Sequence, residues 1–392
     1  MNKKIKYYIW LTLEFGFGTE KVHELLSQYE NDPEKVYASI KREINLSECE
    51  KIIAQCEEND IYIITADDEL YPQQLKHIYN PPIVLYAKGN VDVLGRLPAI
   101  TIVGARNATD YGKRVTRSFA QELSRAGFTI NSGFAVGVDI ISQTAALMLC
   151  NPTVAVLGCG ININYPTENN SIRKLMATIG CFLSEYPPDM PTFSAHFRRR
   201  NAILSGLSDG TLVVQASRKS GSLITANLAL EQGKDVFCIP PASLFDENYA
   251  GVIPLLRDGA VSVYNHFDII AEYSDKYDIL DIEHLKDEYT KIKKNKKPII
   301  VKTKKKENSS GTAEKSATAE VEPPQKKEID YKSLSENQAV IVKILEEMPL
   351  AGEVIIEKSG LKVGDVLSEL TTLEIMGYVE ALPGKRYQLA DA

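Results

Sequence analysis

Between residues 97 and 270, short and almost continuously apolar runs alternate with stretches whose apolar positions follow a helical period. The runs are Ala99 to Val103, Phe128 to Ile130, Thr153 to Leu157, Cys181 to Ser184, Thr211 to Gln215 and Val236 to Ile239. A run of that length without polar alternation fits a strand buried on both faces, as in a parallel sheet. Helical periods fall between the runs, at Lys113 to Ala126, Val138 to Leu149, Ser171 to Thr178 and Ser222 to Gln232. The β, α, β order predicts an α/β fold with a doubly wound parallel sheet and right-handed crossovers. Ligands of such a sheet bind at the carboxyl ends of its strands.

The flanks follow other patterns. Residues before 90 read as helices, at Ile5 to Phe15, Thr19 to Gln28, Pro33 to Lys41 and Ser47 to Glu58, with a Phe-Gly-Phe-Gly hinge at 15 to 18. The C-terminal stretch reads as three helices, Glu336 to Met348, Glu353 to Ser359 and Val363 to Met376. A two-strand wing follows, Val379 to Leu382 and Arg386 to Leu389, turning through Pro383 and Gly384. That order is a winged helix-turn-helix pattern. From Lys291 to Lys306 there are nine lysines and no acid, and Glu307 to Gln325 is Ser/Thr/Ala/Glu/Pro-rich without period. Such a segment buries too little apolar surface to offset its ordering entropy, so 276–331 is expected to be a disordered, Lys-rich linker.

Charge sharpens the division. The 392-residue chain carries a net −7, yet residues 97–268 hold 14 Lys+Arg against 13 Asp+Glu. The basic residues there cluster near a few loops, where electrostatic focusing acts. No apolar run approaches the roughly 18 residues of a membrane span. The N-terminal apolar run carries Glu14 and no cleavage site, which reads as a helix of a cytoplasmic protein. Six scattered cysteines without a C-x-x-C pair read as reduced core thiols, and five scattered histidines leave no metal signature.

Four polar loops gather at one edge of the expected sheet. After the first strand, Gly104 and Arg106 offer backbone N–H groups and a guanidinium to an anion. After the second, Ser132 and Gly133 repeat the device, and Asp139 can cap the next helix or hold an arginine. Phe197, Arg198, Arg199, Arg200 and Asn201 combine an aromatic face with three cations, a set suited to phosphates and flat bases. Lys219, Ser220, Gly221, Ser222 and Thr225 open a helix after the strand at 211 and form an anion cradle. Each loop alone also fits ordinary turn or cap chemistry. There is no G-x-x-x-x-G-K-[ST] loop and no G-x-S-x-G elbow, and His196 is the only histidine near these loops. The arrangement favours binding over catalysis, with no catalytic residue, cofactor or metal expected.

The ordered motifs carry a resemblance. They are Tyr71-Pro72, Asn80 to Asn90, Ile102 to Arg106, Ser132-Gly133 with Gly137-Val138-Asp139, and Ser184 to Pro188. Phe197 with Arg199-Arg200-Asn201, Ser220 to Ala226 and Leu256 to Ala260 complete the set. On these the chain resembles the DNA-processing protein A family (DprA, also called Smf) over nearly its whole length. The resemblance implies an extended Rossmann-like domain at 89–275 that binds single-stranded DNA, between a SAM-like helical domain at 1–88 and a winged-helix domain at 332–392. It also implies a homodimer that loads the RecA recombinase onto DNA during natural transformation. This chain departs from the family at Val136, Gln143 and Ile253, where Arg, His and Asn are usual, and at Pro241, where Gly is common. Those changes would take a cation and two polar groups from the pocket rim.

A rival class exists. The same superfamily includes nucleotide phosphoribohydrolases, which carry a P-G-G-x-G-T-x-x-E loop, and nucleotide-sensing proteins. The corresponding loop here, Ser220 to Thr225, has no such glutamate.

Overall fold

The computed structural model describes residues 4–40, 45–278, 331, 334–346, 350–361, 363–375, 378–382 and 386–389. The lysine run and the stretch behind it lie outside the described residues. Those up to 278 form one compact unit and those from 331 another.

The first unit is built on a nine-stranded sheet. Its central strands are β3 (Ala99–Val103), β4 (Thr129–Ser132), β5 (Thr153–Leu157), β6 (Cys181–Ser184), β7 (Gly210–Val213), β8 (Asp235–Cys238) and β9 (Val261–Ser262). All pair in parallel, in the order β6-β5-β4-β3-β7-β8-β9. Every residue of β3 and β5 is buried, which explains their unbroken apolar sequences. Helices α5 (Asp110–Arg125), α6 (Val138–Leu147), α7 (Asn170–Ile179), α8 (Ser194–Gly206) and α9 (Ser222–Glu231) connect the strands. Phe119 and Leu123 of α5 share a core with Ile100 and Ile102, whereas Ile203 and Leu204 of α8 share another with Val103 and Val213. Helices thus cover both faces. The strand order reverses at β3, flanked by β4 on one side and β7 on the other. A crevice at the carboxyl ends of β3 and β7 follows from that reversal.

Two of the differences from the sequence reading bear on the site and its surroundings. Residues before 90 are not all helical: behind α1 (Ile5–Phe15), α2 (Glu20–Gln28), α3 (Pro33–Ser39) and α4 (Ser47–Glu58) lie β1 (Tyr62–Thr65) and β2 (Val84–Gly89). β2 pairs antiparallel with β6 and β1 with β2, so this segment extends the sheet. β2 also spans the junction expected between residues 88 and 89. The second difference is α8, which carries the arginine triplet on a helix where a loop was expected. The unit closes with two further helices, α10 (Val252–Arg257) and α11 (His266–Tyr273). Asn265 and Asp268 form a capping box at the start of α11.

The second unit holds α12 (Glu336–Leu345), α13 (Gly352–Ser359) and α14 (Val363–Ile375) with the wing strands β11 (Val379–Leu382) and β12 (Arg386–Leu389). A short strand, β10 (Leu350–Ala351), adds to the far side of β12. Val366, Leu370 and Leu373 of α14 fill its core against Ile341 and Ile355.

Candidate nucleic-acid interface

A cleft of about 600 Å³ opens at the ends of β3 and β7. Most of its wall comes from the loop after β3, one face of α8, and the N-terminal turn of α9 with the loop before it, and Ala135, Asp139 and Asn248 complete the lining. Register sets the loop after β3 beside the loop before α9, since Val103 pairs with Val213 at the strand ends.

The turn of a helix explains how α8 serves the cleft. Successive residues rotate by about 100°, so three adjacent arginines point three ways. Arg198 is exposed and lines the cleft. Arg200 is 7% exposed and reaches inward, donating from Nη1 to the carbonyls of Gly133 (2.6 Å) and Val156 (2.5 Å) and from Nε to Asn201 Oδ1 (3.0 Å). Burial pulls its pKa down while the Asp139 charge opposes the shift. Phe197, one turn earlier, is half-buried, with its ring 5.8 Å from the Arg200 guanidinium and 5.7 Å from the Tyr165 ring. The ring lies against the backbone after β5: a Cβ at Gly158 would meet Phe197 Cδ1 at 2.8 Å. An aromatic face beside a cation suits a stacked base with its phosphate.

Arg199 is a correction. Its guanidinium turns away from the cleft to the buried carboxylate of Glu185, at 2.8 and 2.9 Å, and donates to the carbonyl of Asn80 (2.6 Å). It also packs on Gly18, in the hinge between α1 and α2, where a Cβ would sit 2.0 Å from Arg199 Cζ. With Nε and Nη2 bonded to protein groups, Arg199 ties the N-terminal helices to α8 and does not line the cleft. Ser132 is likewise committed, since its buried hydroxyl donates to the carbonyl of Ile102 (2.6 Å).

The remaining residues fall into place around the rim. Gly104 and exposed Arg106 line the cleft, and Arg106 makes no ion pair among the described residues. The loop after β4 presses onto that segment. Gly137 has φ +85°, and a Cβ there would lie 2.3 Å from the carbonyl oxygens of Ala105 and Arg106. Asp139, in the first turn of α6, accepts from the N–H groups of Gly133 (3.1 Å) and Ala135 (3.4 Å). Burial pushes its carboxyl up to about 6 against the pull of Arg200, the loop amides and Arg106. Asp139 is thus the brace of the loop that carries Gly133, which lines a smaller adjoining pocket with Val136, Phe197 and Arg200. On the opposite wall Ser220, Gly221, Ser222 and Thr225 line the cleft, and the Ser220 and Ser222 hydroxyls are 2.7 Å apart. Lys219 is exposed beside this wall without lining it.

Asn107, Ser194, Ser217 and Asn248 line the cleft without having been singled out in the sequence. Ser194 was within reach: with Phe197, Asn201 and Leu204 it recurs at helical spacing. Of the departures from the family pattern, Val136 lines the smaller pocket. Gln143 does not belong to a rim, because it is fully buried and donates to the carbonyl of Val154 (3.0 Å).

Among the described residues no helix is long and apolar enough to cross a membrane, and no group of His, Cys, Asp and Glu is placed to hold a metal. All six cysteines are free, and all but Cys150 are buried.

Comparison with known proteins gives concordant matches. The family model for DNA recombination-mediator protein A matches residues 62–274, and that for the DprA winged helix domain matches 323–385. DNA processing protein DprA of Bacillus subtilis is 41% identical over 241 residues, 61% of this chain and 81% of the relative. Protein Smf of Synechocystis is 35% identical over 83% of this chain and 79% of its own length. The X-ray structure of DprA from Streptococcus pneumoniae superposes with a TM-score of 0.58 at 30% identity, covering 68% of this chain and 97% of that one. DprA from Helicobacter pylori, described for its single-stranded-DNA binding mode, has a TM-score of 0.50 at 33% identity, covering 55% and 97%. With the sheet, the arginine helix and the serine-glycine turn all in one match covering more than half of the sequence, this chain belongs to the DNA recombination-mediator protein A family.

Proposed function

We propose that the chain is a single-stranded-DNA-binding recombination mediator. The observation that carries this reading is the convergence of the Phe197 ring, the Arg106 and Arg198 guanidiniums and the α9 N-terminus on one cleft at the reversal point of the sheet. Cations at the rim neutralise phosphates, backbone N–H groups around Gly104 and Gly221 cradle them, and Phe197 stacks a base. None of these contacts reads a base edge, so binding is tolerant of sequence. The DNA domain is the sheet domain expected at 89–275, together with β1 and β2, which extend its sheet. Bound in this way, a strand is shielded and can be handed to the RecA recombinase, in the cytoplasm and by a homodimer, during natural transformation. The single-stranded-DNA binding described for the Helicobacter pylori relative supports the first step.

Asp139 is the only carboxylate lining the cleft among the described residues, and its Oδ2 is occupied by two loop amides. That commitment supports binding over glycosidic cleavage. Gel-shift series with single- and double-stranded oligonucleotides at several salt concentrations test the proposal, which expects tighter retention of single strands. Release of free base from nucleoside monophosphates would support the hydrolase instead.

A further inference from the structure

Helix α5 carries a stripe of charge that the cleft does not use. Its inner face, with Thr116, Phe119, Ala120 and Leu123, is buried in the core beside β3 and β4. Lys113, Arg114 and Arg117 stand exposed on the other side. Residues three and four apart on a helix are neighbours, so Arg117 repels both of the others. All three also lie in the half nearer the positive end of the helix dipole. Lys113 is relieved by Asp110 at 3.4 Å. Arg114 and Arg117 make no ion pair among the described residues. A surface that concentrates cations in this way, in a chain of net −7, is matched by a polyanion.

Position says which one. The N-cap of α5 is Thr109, whose N–H and hydroxyl both bond Gln215 Oε1 at 3.0 and 3.1 Å. Gln215 follows β7, so this contact fixes the head of α5 at the rim of the cleft, three residues beyond Arg106. The stripe therefore starts where the cleft ends.

We propose that α5 is a track for the phosphodiester backbone of a single strand leaving the cleft, with Arg114 and Arg117 as its phosphate contacts. This rests on the cleft being the primary single-stranded-DNA site. The contacts are to phosphate alone, so the track lengthens the footprint without adding sequence preference.

The test compares the full-length protein with its Arg114→Gln/Arg117→Gln variant, using oligothymidylates of roughly 6 and about 30 nucleotides, one within and one beyond the span of a single binding fold. Both side chains are exposed, and glutamine keeps the helix. The track predicts affinity for the short strand within about twofold of wild type and a loss of roughly fivefold or more for the long strand. The salt slope for the long strand should shrink by about 1.4, or about 0.7 for each of two contacts. Equal losses at both lengths, or unchanged affinity for the long strand, overturn the track. Phe197→Ala in parallel reads the cleft alone. If it binds the short strand like wild type, the cleft reading fails, a result separable from a failure of the track.

Discussion

The Arg199 guanidinium grips Glu185 through two parallel bonds, Nε to Oε2 at 2.8 Å and Nη2 to Oε1 at 2.9 Å. The Glu185 side chain is 1% exposed and that of Arg199 16%, so the carboxylate end of the pair is closed off from water. Its neighbour Arg200, about 100° further round the helix, reaches the Gly133 and Val156 carbonyls beneath the cleft. Two adjacent arginines thus do different work: one fastens the N-terminal helices and the Asn80 loop to α8, the other holds the floor of the interface.

Arg199→Ala should therefore damage the fold first. It leaves a buried carboxylate without its partner, a loss of roughly 3–5 kcal/mol. Urea unfolding of this variant beside exposed Arg198→Ala measures the difference. An Arg199 variant with wild-type stability and a flatter salt slope for DNA would make it a phosphate ligand after all.

Stability should also depend on pH through Asp139. Its carboxyl is pushed up to about 6 by burial, against about 3.9 in the unfolded chain. The folded state therefore holds the proton more tightly. The stabilisation from this group is complete below about pH 4 and is lost as pH rises through about 6, an effect on the order of 2 kcal/mol. Asp139→Asn removes the titration. The stability of wild type minus that of the variant should fall by that amount between pH 4 and pH 7, and parallel profiles would contradict the assignment.

The winged helix should contribute little to DNA affinity. A recognition helix normally brings Lys or Arg to the groove it enters. Here α14 carries Asp365, Glu369 and Glu374 and no base, and residues 331–392 hold six Lys+Arg against ten Asp+Glu. Its fold has its own core around Val366, Leu370 and Leu373, as the helical spacing predicts, while the Leu367 side chain lies outside the described residues. Truncation after Tyr331, which keeps the lysine-rich segment, should change single-strand affinity by no more than about threefold, roughly 0.6 kcal/mol. A loss of tenfold or more would mean that this module grips DNA.

The parts of the fold legible in the sequence were those where burial alone set the residues. β3, β5 and β6 occupy the expected spans because a central parallel strand must be apolar on both faces. Helix α8 escaped because two of its inward positions are arginines. The Glu185 carboxylate and the Gly133 and Val156 carbonyls take the place of apolar contacts, so the pattern shows no amphipathic contrast. β1 is a four-residue edge strand, too short for a period to show. In the cleft, Phe197, Arg106 and the Ser220–Thr225 turn were visible as residue types suited to phosphate and base. The direction of each arginine was not, since it follows from helix phase and from partners distant in sequence.

The central claim is that single-stranded DNA lies in the cleft, with Phe197 stacking and Arg106 neutralising charge. The most direct test is the affinity of Phe197→Ala and Arg106→Ala for one single-stranded oligonucleotide across a range of salt. Phe197→Ala should lose roughly 1–3 kcal/mol at every salt concentration with its slope unchanged. Arg106→Ala should flatten the slope by about 0.7, one phosphate contact, with stability unaffected because its side chain is exposed. If both variants bind like wild type at all salts while remaining folded, the DNA does not lie in this cleft.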